Sequence, residues 1–350
     1  MPWFLGVKMA VTIKDVAIKA GVSPATVSRV VGNYGYVSQR TRKKVLVAIQ
    51  DLGYRPNAIA RSMVTKSTCT IGLVVTDITN PFFAQIARSV EEVVWKNGYT
   101  LLLANTDEDL DHEQEIVHVM QDKRVDGLIV IPASSTSGPH IHDVIERGFP
   151  LVLVDRKLKD CEADVVMVDN EAGAYQAVSH LLSLDYGRIG MIMDNPEIST
   201  NVERSLGYHK ALHEAGLPID ESLIQSCQYT HQSAYKLVLE MLKQSPTPNA
   251  LFTANNFMTI GALKAIRELR LKIPEDVALV GFDELGWDGI ENTDLTVVAQ
   301  PVHEIGREAA HRLITRINHD SSPPQEIRLK TRFIIRDSCG AKARNKSRIV

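Results

Sequence analysis

Two patterns of apolar and polar positions divide the chain. Up to Gly53, apolar residues recur at intervals of three and four; from Cys69 onward, short apolar runs alternate with helical stretches. In the first part Thr12 precedes Asp15 by three positions, a variant of the Thr-x-x-Glu capping box, and "IKDVAIKA" stops at Gly21. Ser23 caps a second helix, "PATVSRVV", with Pro24 at its first position, where a missing N–H costs nothing. Two short helices around a tight glycine turn predict a helix-turn-helix. Ser38 caps a third helix, "QRTRKKVLVAIQDL", which Gly53 ends. Its Val45, Ile49 and Leu52 form a stripe that closes a three-helix core with Val16, Val27 and Val30.

The runs "IGLVV", "TLLLAN", "VDGLIVI" and "LVLVD" read as strands, and "RIGMIMD", "NALFTA" and "VALVGFD" repeat them later in the chain. Strands alternating with helices predict parallel sheets covered on both faces, here in two similar lobes. The periodicity by itself specifies no more than α/β. Ligands of open α/β sheets lie beyond the carboxyl ends of the strands. "NPFF" (80–83), Asp155 with Arg156, Asn255 and Asp283 all fall there, and Arg204 is placed at the start of a helix in "NVERSLGYHKAL". Each polar residue alone reads equally as a helix cap or a strand-end partner. Their convergence predicts a pocket with apolar walls and few polar anchors, suited to a small polar ligand. Trp287 fits a pocket wall or a lobe core equally.

Charge changes the picture. The formal net charge of −3 conceals a split after Lys66: eleven Lys and Arg stand against two Asp before it, a net +9, and 28 against 40 acids after it, a net −12. A basic module for a polyanion, joined to an acidic body, accounts for this; a solvated basic face is the other reading of charge alone. In a helix-turn-helix the second helix enters the major groove and offers its N-terminal residues to base edges. Arg29 suits a bidentate pair with guanine, Ala25 a thymine methyl, Thr26 and Ser28 phosphates or bases, and Pro24 shape. Thr12 and Ser23, at the two helix starts, are counted with them. In "GYRPNAIARSMVTKST" Asn57 can cap a single turn too short to fold alone. A basic segment with Ala60, Arg61 and an apolar Met63 has the composition of a minor-groove wedge, with a plain linker as the alternative.

A chain of 350 residues, 44% apolar and 23% charged, holds ample material for two or three buried cores. Four scattered cysteines form no CxxC pair, which points to a reduced, cytoplasmic protein without a disulfide framework or zinc site. No run is long enough for a membrane span. GxGxxG after a strand, GxxxxGK[ST], GxSxG and HExxH are all missing, so no enzyme active site is visible. His140-x-His142, the closest histidine pair, reads as solvent-facing rather than metal-binding.

"TIKDVAIKAGVSPATVSRVV", "VSQRTRKKVLVAIQDLGYRPNAIARSM" and "IGLVVTDITNPFF" together resemble the lactose-repressor (LacI/GalR) family of bacterial transcription regulators, a likeness that runs from Val11 to about Cys339. The resemblance implies that the second helix reads half-operators. It also implies that hinge helices of two subunits pair in the minor groove, where a hydrophobic side chain, commonly Leu and here Met63, opens the central step. For the body it implies the type I periplasmic-binding-protein fold: two Rossmann-like lobes joined by three crossings, lobe one being about 69–167 plus 300–327. Effector contacts are implied at Phe82 or Phe83, Asp155, Arg204, Tyr229, Asn255 and Asp283, with Asn256 standing where an Asp is usual.

The expected plan is an extension (1–10), a helix-turn-helix domain (11–55), a hinge (56–68), a two-lobed effector-binding and dimerisation domain (69–339) and a basic tail (340–350). The expected function is that of a homodimeric repressor on a near-palindromic double-stranded DNA operator, controlled allosterically by a small effector, a sugar, with no cofactor and no metal. A soluble sugar receptor and a sugar-acting enzyme are the alternatives.

Overall fold

The computed structural model describes residues 11–32, 34–54, 67–284 and 295–341. The chain falls into two compact units, Met1–Thr70 with Arg124–Asp126, and Ile71–Lys123 with Gly127–Val350.

The first unit holds α1 (Ile13–Ala20), α2 (Pro24–Gly32) and α3 (Gln39–Leu52). The capping box forms as expected: Asp15 N–H donates to Thr12 Oγ1, and Thr12 N–H to the Asp15 carboxylate at 2.8 Å. Gly21 and Gly53 end α1 and α3 at φ 66° and 61°, a conformation without penalty for a residue that lacks Cβ. Val16, Val27, Val30 and Val45 are buried together with Ala17, Ala20 and Ala48, while Ile49 and Leu52 pack on them from the rim.

The second unit contains two six-stranded sheets. Lobe one is built from β1 (Thr70–Val75), α4 (Pro81–Lys96), β2 (Thr100–Asn105), α5 (Leu110–Asp122), β3 (Gly127–Val130), α6 (Pro139–Glu146), β4 (Leu151–Val154) and β5 (Asp164–Val168). Lobe two follows with α7 (Asn170–Ser183), β6 (Ile189–Met193), α8 (Ser199–Glu214), β7 (Ile224–Ser226), α9 (His231–Met241), β8 (Ala250–Thr253), α10 (Asn256–Glu268), β9 (Ala278–Phe282) and β10 (Thr296–Ala299). The chain returns to lobe one for α11 (Val302–Ile317) and β11 (Glu326–Leu329), then crosses again to β12 (Arg332–Ile334). The strand orders are β11-β5-β4-β3-β1-β2 and β12-β10-β9-β8-β6-β7. Three crossings therefore join the lobes, after β5, β10 and β11.

One pairing departs from the parallel expectation. β12 runs antiparallel to β10, whereas β11 runs parallel to β5. The crossings explain both: β10 leads out of lobe two and β12 leads into it, but β5 and β11 both lead out of lobe one. Within lobe two, α8 lies backbone to backbone on α7. A Cβ at Gly207 would stand 2.3 Å from the Glu171 carbonyl oxygen and 2.7 Å from the Tyr175 nitrogen, so only glycine permits this approach. No helix of the described residues is long and apolar enough to cross a membrane.

Candidate DNA-reading helix and ligand cleft

On α2, Ser23 caps the helix, Pro24 and Ala25 begin it, Thr26 and Ser28 follow, and Arg29 stands in its last turn. Ser23 Oγ accepts from Thr26 N–H at 3.2 Å, the cap expected at this helix start. The hydroxyls are already engaged within the unit: Ser23 Oγ lies 2.9 Å from Thr26 Oγ1, and Ser28 Oγ 2.8 Å from Tyr34 Oη. Arg29 is thus the long donor of the set, its stem against Gly35. Tyr34 and Tyr36, exposed in the loop after α2, were not expected from the sequence, although two aromatics in so polar a loop are themselves a signal. Asn57, Ala60, Arg61 and Met63 of the hinge, and Trp287, lie outside the described residues.

The cleft gathers residues from both lobes. Phe82, Phe83, Asp155, Arg204, Tyr229, Asn255 and Asp283, each expected from the sequence, line one small cavity between the lobes, together with Asn80, Arg156, Asp194, Thr200, Asn201 and Gln300. Asn80 caps α4 by accepting from Phe82 N–H at 3.0 Å. The same amide spans the lobes, donating to Tyr229 Oη at 2.7 Å and accepting from Asn256 Nδ2 at 3.1 Å. The Phe82 and Phe83 rings meet edge-on at 5.1 Å, both buried. Further contacts close the lobes from the α8 side. Ser199 N–H donates to Ser135 Oγ at 2.9 Å, Lys157 N–H donates to Ser199 Oγ at 3.0 Å, and Arg328 holds Glu203 by two bonds at 2.8 and 2.9 Å.

Arg204 sits in the sixth position of α8, not at its start as expected, because the helix already begins at Ser199, whose N–H bonds Ser135 of lobe one. There its Nε donates to Asn170 Oδ1 at 2.9 Å and its guanidinium lies 3.8 Å over the Phe282 ring. Asn255 serves as a helix cap and as a wall residue at once: Oδ1 caps α10 through Met258 N–H at 3.1 Å, and Nδ2 reaches Asp194 at 2.8 Å. Burial pushes the Asp155 carboxyl up to about 6, against the opposing pull of Arg156 and Arg204. Asp283 shifts the same way for the same reason, offset by Arg204 and by Gln300 Nε2 at 2.6 Å. Burial also raises the Tyr229 phenol, so that it stays neutral.

Polar atoms left over define what the cleft can hold. Among the described residues, Arg156 Nε, Asn201 Oδ1 and Gln300 Oε1 are buried without a hydrogen-bond partner. A donor and two acceptors beside aromatic rings suit a molecule rich in hydroxyls, each of which both gives and accepts. Sequence reading missed Asn80 as a bridge, and missed Asp194, Asn201 and Gln300. Among the described residues no cluster of three His, Cys, Asp or Glu side chains could hold a metal. His140 corrects the expectation of a solvent-facing pair. It is buried, its Nε2 2.7 Å from the equally buried Glu113 carboxylate, because Glu113 also receives Ala133 N–H and fixes the loop before α6.

A helix-turn-helix joined to a two-lobed α/β body with a polar interlobe cleft is the build of a DNA-binding regulator with a ligand-binding domain. Residues 12–57 match the model of bacterial regulatory proteins of the lacI family, and residues 68–337 that of periplasmic binding proteins and the sugar-binding domain of the LacI family. The chain belongs to the LacI family. It is a DNA-binding transcription regulator, not an enzyme. Catabolite control protein A of Priestia megaterium is 34% identical over 94% of this chain and 99% of its own. The complex of the transcriptional regulator CelR with cellobiose is similar in structure at 31% identity, with TM-score 0.72, covering 94% of this chain and 99% of that one. A LacI-family regulator from Enterococcus faecium with bound ribose gives TM-score 0.69 at 30% identity over 77% of this chain and 98% of that one.

Proposed function

We propose that the protein is a homodimeric, cytoplasmic repressor of a near-palindromic operator, and that a sugar entering the cleft changes its affinity for that operator. The observation that carries the reading is the set of unpartnered buried donors and acceptors in a cavity walled by both lobes. A ligand that bonds residues of both lobes favours one interlobe angle over another, and that preference is the only free energy available to shift DNA binding. Cellobiose and ribose in two relatives of the same fold support the class of ligand. On this reading α2 presents Pro24, Ala25, Thr26, Ser28 and Arg29 to base edges, with Thr12 and Ser23 at the backbone and Asn57, Ala60, Arg61 and Met63 in the minor groove. The domain plan is then 11–55 for DNA, 56–68 for the hinge and 69–339 for the effector.

The homodimer is supported by an apolar surface on lobe one. β2 is an edge strand with Leu102 and Leu103 exposed, and Trp95 and Val119 on α4 and α5 are exposed as well, Trp95 by 70%. The test is a thermal-shift screen of the full chain against mono- and disaccharides, followed by titration of operator binding with any hit. A sugar that raises the midpoint and changes operator affinity supports the proposal. Stabilisation by a sugar with no change in operator affinity overturns the regulatory reading.

A further inference from the structure

Arg156 stands in the cavity wall, yet its guanidinium already holds a carboxylate of the protein. Nη1 and Nη2 form a parallel pair of bonds to Glu108 at 2.6 and 2.7 Å, and Nη1 also donates to the Pro132 carbonyl at 3.1 Å. The Arg156 side chain is 4% exposed and that of Glu108 20%; Glu108 lies behind the wall and does not line the cavity. Those bonds use three of the five guanidinium N–H groups; Nε, which has no hydrogen-bond partner among the described residues and lies 3.6 Å from Asp155 Oδ2, and the second N–H of Nη2 remain. The pairing draws on a strained loop: Asp107 and Glu108 both adopt left-handed backbone, φ 56° and 59°, which residues with a Cβ rarely take in succession. On or directly behind the wall, four carboxylates (Asp155, Asp194, Asp283 and Glu108) face two guanidiniums (Arg156 and Arg204), a formal charge of −2.

We infer that Glu108 is a specificity-determining residue: by filling the Nη1/Nη2 face of Arg156 and neutralising its charge it makes the cleft select an uncharged polyol and reject phosphorylated sugars. This rests on the cleft being the effector site. A phosphate would meet the carboxylates of Asp155, Asp194 and Asp283 beside an Arg156 whose charge Glu108 already neutralises and whose Nη1/Nη2 face it fills, whereas a hydroxyl needs only the Nε–H and a neighbouring acceptor.

The experiment uses the full chain and calorimetric titration with inorganic phosphate, with glucose and glucose 6-phosphate, and with ribose and ribose 5-phosphate. The wild type should give no saturable phosphate binding and should bind the parent sugar of any productive pair at least about tenfold more tightly than its phosphate ester. Glu108→Gln should acquire saturable phosphate binding, and adding Arg156→Gln should abolish it. A wild type that prefers the phosphate ester overturns the inference while leaving the cleft as effector site. So does a folded Glu108→Gln, with unchanged melting midpoint and operator binding, that gains nothing toward phosphate. If no sugar binds but Glu108→Gln still gains phosphate, the role of Glu108 stands and the sugar reading falls. Should Glu108→Gln not fold, the wild-type pairs decide alone.

Discussion

Asp155 and Asp283 occupy equivalent places in the two lobes. Each lies one residue beyond its strand, β4 or β9, at φ 67° and 77°, and each donates its N–H at 2.9 Å to the next strand, to Val166 and Val298. The repeat seen in the strand pattern thus delivers two carboxylates to opposite walls of one cleft, both raised by burial, Asp155 to about 6. The sign of the consequence follows. A raised carboxylate binds its proton more tightly folded than unfolded, so in the unliganded protein Asp155 lowers stability as pH rises between about 4 and 6. A ligand hydroxyl donating to Asp155 favours the ionised form and releases that proton. Sugar affinity should therefore rise by roughly tenfold per pH unit up to about 6 and level off above it. Calorimetry from about pH 5 to 7.5 checks this, and Asp155→Asn should flatten the profile.

Closure hangs on Asn80, whose one amide caps α4 and bonds both Tyr229 and Asn256 across the cleft. The bond to Asn80 Oδ1 needs a donor at position 256, which the Asn256 amide supplies. In Asn256→Asp two acceptors would face each other, at a cost of about 1–3 kcal/mol to the closed arrangement. Asn256 does not line the cavity, so the loss should show as weaker sugar binding without altered preference among sugars. Equal affinities for the wild type and Asn256→Asp would sink the idea that this contact holds the lobes together.

The small domain was legible almost entirely, because its signals are local. Thr12, Gly21, Ser38 and Gly53 each act within a turn of their own helix. In the body seven strands announced themselves by apolar runs, but the buried β5 and β10 were passed over, and β7, β11 and β12 are short and partly exposed, with no apolar run to find. The site divides the same way. Asp155, Asn255 and Asp283 were visible because they end buried strands. Gln300 was not, since "TVVA" was not read as a strand, and the Glu108–Arg156 pair joins residues 48 positions apart through a fold no periodicity encodes. His140 looked like a surface residue because its partner, Glu113, sits 27 positions away.

Gly207 tests how closely the helices of lobe two approach. A methyl there meets the backbone of α7, which cannot rotate aside as a side chain would. Gly207→Ala should destabilise the body by about 1–3 kcal/mol or more, read as a lower denaturant midpoint at unchanged slope. An unaltered midpoint would mean that α7 and α8 are less tightly apposed than described.

The exposed Leu103 on edge strand β2 offers a direct check on assembly. If that face joins two copies, Leu103→Lys places like charges opposite each other in a symmetric interface. Sedimentation should then show a shift from dimer toward monomer, with operator affinity falling in parallel. A dimer of undiminished stability would move the interface elsewhere.

Arg29 and Lys44 separate reading from holding. Arg29 lies on α2 outside the hydroxyl pairings that engage Thr26 and Ser28, so a bidentate bond to guanine is open to it. Lys44 is exposed on α3, beside Lys43, and suits a phosphate, which is the same at every base pair. Arg29→Ala should cost about 1–3 kcal/mol on the operator and relax preference at one base position, leaving binding to random duplex nearly unchanged. Lys44→Ala should weaken operator and random duplex alike and reduce the slope of log affinity against log salt by about one. Binding measured on a library of single-base operator variants at two salt concentrations distinguishes the two. An unchanged base profile for Arg29→Ala would remove it from the reading set and shift that role to Ala25 and the loop tyrosines, Tyr34 and Tyr36.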